Sequence, residues 1–159
     1  MTLCKNLVDE MNTQIKLELD SAYLYLSMAA HFESAKLSGF AHWMKEQAEE
    51  EQEHALKFYE YIHDRGGRVI LQGLDQPPAE FKSPLSVFEE VLEHEKGVTA
   101  RINLLYSIAV KDNDYASQSF LNWFVDEQVE EEKNASQIVE QLRMAGDAPG
   151  VLFMLDGTL

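Results

Sequence analysis

The chain has 159 residues, 45% hydrophobic and 26% charged, enough apolar material for one domain with its own core and too little length for two of ordinary size. A formal net charge of -15 argues against nucleic acid and anionic membrane and makes cations, whether metal ions or basic proteins, the expected partners. Residues 1–14 hold no basic segment followed by an apolar run, no stretch of about 18 apolar residues occurs, and a single cysteine, Cys4, excludes an intrachain disulfide. The expectation is a soluble cytoplasmic protein whose one thiol packs on the apolar stripe of the first helix.

Four long periodic segments predict an all-α fold. The first helix is expected over about residues 3–33, with a stripe of Cys4, Val8, Met11, Ile15, Glu18, Ala22, Tyr25, Ala29 and Phe32. The second, about 37–64, carries Leu37, Ala41, Met44, Ala48, Glu51, Ala55, Phe58 and Ile62, and stops at Gly66 and Gly67, residues suited to left-handed positions after a helix end. The third, about 84–112, opens with Pro84 at its first position and presents Leu85, Phe88, Leu92, Glu95, Thr99, Ile102, Tyr106 and Ala109. After the turn Asp112-Asn113-Asp114, the fourth runs over about 114–145 with Phe120, Phe124, Gln128, Glu131, Ala135, Ile138, Leu142 and Ala145, ending at Gly146. The tail 146–159 leaves room for little more than a turn or two of helix.

Each stripe is interrupted near its middle by a carboxylate: Glu18, Glu51, Glu95 and Glu131. Solvated faces scatter their charges around a helix, whereas these four occupy positions where the pattern calls for apolar side chains. A charged, unpaired carboxylate there costs several kcal/mol, on the order of the penalty for any buried ion. Glu51 and His54 are three residues apart, so both side chains leave one helix face with Cβ atoms roughly 5–6 Å apart and can serve one metal ion.

The connections allow the four to meet. Those between the first and second and between the third and fourth helices are short, which makes each pair antiparallel. Residues 67–83 form a long connection that, extended at roughly 3.3 Å per residue, covers about 55 Å, more than the roughly 42 Å of a 28-residue helix. That crossover leaves the second and third helices parallel and brings the four carboxylates to one level within about 3 Å at a rise of about 1.5 Å per residue. Carboxylates so gathered repel one another, and two divalent cations resolve the repulsion. Oxygen ligands with one imidazole suit iron or manganese, with zinc an alternative occupant. Tyr25 lies two turns beyond Glu18 on the same face.

With these residues in place, the chain resembles the non-haem ferritins of bacteria and archaea. The likeness spans nearly the whole chain: Leu-Glu-Leu around Glu18, Glu-Glu-x-x-His from Glu50 to His54, His-Glu at Glu95, and Glu-Gln-x-Glu-Glu-Glu-Lys from Glu127 to Lys133. It implies a four-helix bundle with a long crossover in which Glu18, Glu51 and His54 hold one iron and Glu51, Glu95 and Glu131 a second. Glu51 would bridge the two, with Gln128 adjoining. A third site would fall on Glu50, Glu127, Glu130 and Glu131, and Tyr25 and Trp123 match aromatic residues near the centre. The implied function is oxidation of Fe(II) by dioxygen or peroxide and storage of Fe(III) as a ferric oxide, in a hollow homo-oligomeric cage of 24 chains. The apolar run Val69-Ile70-Leu71 in the crossover fits pairing with another subunit.

Departures from related families narrow the likeness. Gln128 and Glu131 stand where bacterioferritins and rubrerythrins have a second Glu-x-x-His, Gln52 stands where bacterioferritin has its haem-binding methionine, and no Cys-x-x-Cys pair exists. No haem is therefore expected. The short tail departs from the fifth helix usual in ferritins. Glu49, Glu53, Asp126 and Glu132 read as solvated, and His31, His42, His63 and His94 as structural. Two other functions use the same residues differently: a soluble di-iron redox enzyme such as a peroxidase, and a non-catalytic acidic bundle that binds a basic partner.

Overall fold

Five helices account for most of the computed structural model, which describes residues 2–159: α1 (Lys5–Ser34), α2 (Ser38–Asp64), α3 (Pro84–Lys111), α4 (Tyr115–Ala145) and α5 (Pro149–Gly157). Local chemistry sets their ends. Ser83 caps α3 by accepting from the Ser86 backbone N–H while the Ser86 hydroxyl returns a bond to Ser83, and Pro84 supplies the preset φ of the first turn. Asp114 caps α4 through Ser117 N at 3.0 Å. Cys4 lies outside α1 rather than on its stripe: it is the N-cap, its sulfur accepting from Leu7 N at 3.4 Å. Of the two glycines after α2, only Gly66 is left-handed, at φ 79. Gly67 answers to space instead, since a Cβ there would lie 3.0 Å from Ile62 Cγ2 and 3.2 Å from its carbonyl oxygen.

The crossover runs the length of α1. Its start is held where Asn12 accepts from Ile70 N at 2.8 Å and donates to the Arg68 carbonyl; its middle where Asp20 accepts from Asp75 N; its end where Ser27 donates to the Pro78 carbonyl and Phe81 meets the His31 ring. The chain therefore returns to the end where α2 began, and Phe88, early in α3, packs on Phe40 and Trp43, early in α2. α2 and α3 are parallel, as the connection lengths predict. α1 packs against α2 and α3, and α4 against α3; Tyr61 stacked on Phe120, and Phe58 tilted against Phe124, close the seam between α2 and α4.

Two apolar clusters fill the bundle. One gathers Met28, Phe32, Phe40, Met44, Phe88 and Leu142; the other gathers Leu7, Met11, Phe58, Ile62, Leu105 and Phe124. The stripes of α1, α2 and α4 fall largely where periodicity places them. That of α3 keeps Phe88, Glu95, Ile102 and Ala109 buried but shifts at the positions between them: Val91, Val98 and Leu105 are buried, while Leu92, Thr99 and Tyr106 are only half-buried. Adjacent apolar pairs such as Val91-Leu92 and Leu105-Tyr106 leave either residue able to face inward, and packing between helices decides.

The tail folds into a fifth helix of little more than two turns, the length the sequence leaves room for. The nine residues of α5 pack against α2 and α4. Asp156 is buried there, and its Oδ1 accepts from Phe40 N at 2.9 Å. α2 has no side-chain cap of its own, so a residue from the far end of the chain caps it. In the crossover, Val69 packs on the core of its own chain, while Ile70 and Leu71 stay exposed. Among the described residues, no helix is long and apolar enough to cross a membrane.

Candidate metal centre

Between the two apolar clusters lies a polar layer with one or more groups from each long helix. Glu18 comes from α1, Glu51 and His54 from α2, Glu95 from α3, and Gln128 and Glu131 from α4. All six are buried, the four carboxylates at 3% exposure or less. Polar groups so enclosed need partners, yet Glu18 Oε2 and Glu51 Oε2 have no hydrogen-bond partner. His54 Nδ1 lies 3.3 Å from Glu51 Oε2 and 3.8 Å from Glu18 Oε2. Two unsatisfied carboxylate oxygens facing one imidazole nitrogen form a donor set that a divalent cation completes.

Ligand-capable atoms gather in three groups, each within 4.8 Å: Glu18, Glu51 and His54; Glu51, Glu95 and Glu131; and Glu50, Glu127 and Glu131. The first two share Glu51 and the last two share Glu131. Glu130, expected with the third group, is exposed and takes no part in it. Tyr25 is fully buried and donates its hydroxyl to Glu95 Oε1. Gln128 donates to Glu95 Oε2 and to the Glu95 carbonyl, both at 3.2 Å. Trp123 is 41% exposed, with its ring edge-on to His54 at 5.4 Å and Lys57 Nζ 3.2 Å above it.

Two further groups hold the layer. Gln14 Nε2 donates to Glu18 Oε1 at 3.0 Å, and Gln47 Nε2 donates to Glu131 Oε2 at 2.7 Å. Both are buried amides one helical turn before a ligand in sequence. That spacing is a legible signal for Gln14, whose partner is the residue four places on. It misleads for Gln47, which reaches across the bundle to α4. Glu132, expected as solvated, is half-buried and accepts from Thr99 Oγ1 at 2.5 Å. Glu49, Glu53 and Asp126 are exposed. Of the remaining histidines, His94 is bonded to Ser21 at 2.6 Å, His31 packs on Phe32 and Phe81, His42 pairs with Glu46, and His63 lies on the Tyr59 ring.

Gathering four carboxylates away from water makes some of them hold protons. Burial, then the charge of Glu18, pushes Glu51 well above the ordinary carboxyl range. Burial likewise raises Glu95, against the bonds from Tyr25 and Gln128, and lifts Glu131 to about 8 against the bond from Gln47. Burial also opposes the charge on Glu18, but the adjacent Glu51 carboxyl and His54 imidazole, with the bond from Gln14, outweigh it and hold this carboxyl low. His54 is pushed down by burial, but the neighbouring Glu18 carboxylate outweighs this and raises it. Tyr25 is raised well above the usual phenol by burial and by Glu95, so it is a neutral donor. The layer is thus poised to exchange protons for cations.

A ferritin-like domain family model matches residues 8–145. A bacterial non-heme ferritin of Bacteroides fragilis strain 638R is 45% identical over 152 residues, covering 96% of this chain and 95% of the relative. One from Staphylococcus haemolyticus is 41% identical over 157 residues, covering 99% and 95%. An open pore ferritin from the archaeon Archaeoglobus fulgidus superposes with a TM-score of 0.98 at 46% identity, covering 99% of this chain and 97% of that one. The chain belongs to the ferritin family. Its function is that of an iron-storage ferritin with ferroxidase activity, and the buried carboxylate and histidine cluster is of the kind that activity needs.

Proposed function

We propose that Fe(II) binds in pairs in the buried layer, with Glu18, Glu51 and His54 holding one ion, Glu51, Glu95 and Glu131 the other, and Glu51 common to both. The observation that carries this reading is that Glu51 belongs to both buried clusters while its Oε2 and that of Glu18 lack any hydrogen-bond partner. Oxygen donors with a single imidazole suit iron. Two Fe(II) ions lose one electron each. Dioxygen accepting both electrons, with two protons, leaves as hydrogen peroxide; peroxide accepting two more, with two protons, leaves as two water molecules. The protein's part is to fix the two ions side by side, to exclude bulk water and to supply anionic charge that favours Fe(III). Tyr25 and Gln128 hold Glu95 in place, and Gln47 holds Glu131. Glu50 and Glu127, partly open to solvent, take a third iron with Glu131 on its way from the centre.

The whole chain works as a single ferritin-like domain in the cytoplasm. Storage needs an enclosed volume that one bundle lacks, so the chains assemble into a closed shell of 24 copies, with the exposed Ile70 and Leu71 of the crossover in a contact between them. The test is aerobic addition of Fe(II) to metal-free protein, followed by gel filtration with iron and protein quantified across the eluate. Iron far above the roughly two ions that one di-metal centre holds, co-eluting with a very large particle, is expected. Two or three ions per chain on a small oligomer would instead identify a soluble redox enzyme.

A further inference from the structure

Glu10, Gln14 and Glu18 stand on successive turns of one face of α1, and Arg101 of α3 lies across the first two. Arg101 pairs with Glu10 Oε2 at 2.7 Å through one terminal nitrogen, donates to the Glu10 carbonyl at 3.2 Å through the other, and donates to Gln14 Oε1 at 3.3 Å through Nε. A guanidinium has only donors, so the amide of Gln14 must turn its oxygen toward Arg101. Its nitrogen is then left to face Glu18, and it donates to Oε1 there at 3.0 Å. One carboxylate oxygen is occupied in this way, while Oε2, on the His54 side, stays unpartnered.

We propose that Gln14, oriented by Arg101, is the positioning residue that aims Glu18 at the first metal ion; this rests on reading Glu18, Glu51 and His54 as a metal site. The bond from Gln14 fixes which oxygen of Glu18 is presented and restrains the rotation of its carboxylate. Neither residue touches the ion. The same side chain of Gln14 also lines a cavity of about 470 Å³ in the seam between α1 and α3, together with Ser21, His94, Gly97, Val98 and Arg101. Shortening Gln14 would enlarge that cavity beside Glu18, so a leucine of similar length is the informative replacement.

The experiment is anaerobic Co(II) titration of the metal-free assembled protein, followed by visible absorption, with Glu18→Ala and Glu131→Ala proteins marking the spectra of the first and second positions. Gln14→Leu and Arg101→Met are each expected to weaken the first position about 10–100-fold, the usual effect of removing a partner that orients a ligand, and to leave the second unchanged. The double variant should bind no more weakly than Gln14→Leu alone, because both changes break one chain of bonds. Arg101 is partly exposed, so its variant keeps the test open if Gln14→Leu does not fold. Unchanged first-position affinity in the variants would overturn the proposal, as would equal weakening of both positions together with a lower Tm, the mark of general packing damage. Failure of the unaltered protein to bind Co(II) at all would sink the metal-site reading instead.

Discussion

The carboxylate of Asp156 accepts a hydrogen bond from the backbone N–H of Phe40 at 2.9 Å, across 116 positions of the chain. The last helix thereby supplies the cap that the second helix lacks. The approach is close enough that a Cβ on Gly39 would stand 1.7 Å from the Asp156 carbonyl oxygen. A contact with backbone cannot be relieved by a rotamer change, so Gly39 is required by space rather than by φ.

Asp156→Ala should lose about 0.5–2 kcal/mol in urea unfolding, the range for removing an N-cap. Gly39→Ala should lose more, about 1–3 kcal/mol for overpacking, and should free α5. Amide exchange across residues 149–157 reads the second effect directly. Protection of that segment equal to the unaltered protein's would show that α5 is held by other contacts.

Glu51→Gln keeps the shape of the side chain common to the two buried clusters and mimics the protonated form that burial already favours. Metal-free stability should therefore stay level or rise at neutral pH, while Fe(II) oxidation falls by about 100-fold or more as the shared ligand loses its charge. Thermal melts beside stopped-flow oxidation separate the two. A large drop in both would mean that Glu51 holds the fold rather than the ions.

Glu131, raised to about 8 from an ordinary 4.5, fixes the sign of a pH effect. A carboxyl whose folded pKa exceeds its unfolded one contributes stability that is complete below the unfolded value and is lost as pH rises through the folded one. Metal-free protein should therefore melt at progressively lower temperature between about pH 4.5 and about 8. Fe(II) binding at pH 7 should release protons, measurable by calorimetry in buffers of different ionisation enthalpy. Binding without proton release would contradict the assignment.

The opposite sign applies at the other end of the bundle. Asp114 pairs with Arg65 through 3.0 and 3.1 Å contacts and caps α4 through Ser117. Burial alone would raise this carboxyl, but those bonds outweigh it and hold it below its usual 3.8. The stability it adds is full above that value and disappears as pH falls through the lower, folded one. Asp114→Ala should lose about 2 kcal/mol at pH 7, from a cap and a charged bond together, and the difference from the unaltered protein should shrink in strong acid. A pH-independent difference would assign the effect to packing.

The buried carboxylate layer was legible because it depends on quantities that local backbone geometry determines. A helix rises by a constant amount per residue, so Glu18, Glu51, Glu95 and Glu131 could be placed on buried faces and at one level by counting. The length of residues 67–83 made the crossover possible, and the contacts of Phe88 with Phe40 and Trp43 show that it is taken. The approach and rotation of one helix against another are not written in any single stretch. Packing between helices buried Val91 and Val98, left Thr99 half-buried and bonded to Gln128 and Glu132 of α4, sent Gln47 to Glu131, and left Glu130 outside the cluster it was expected to join. Asp156 on Phe40 and Arg101 on Gln14 likewise join residues far apart in the chain. The sequence by itself determined which groups enter the buried layer, because periodicity and rise are local. Only the tertiary structure decided how those groups are held and which of their oxygens are left for a metal, because that depends on contacts between helices.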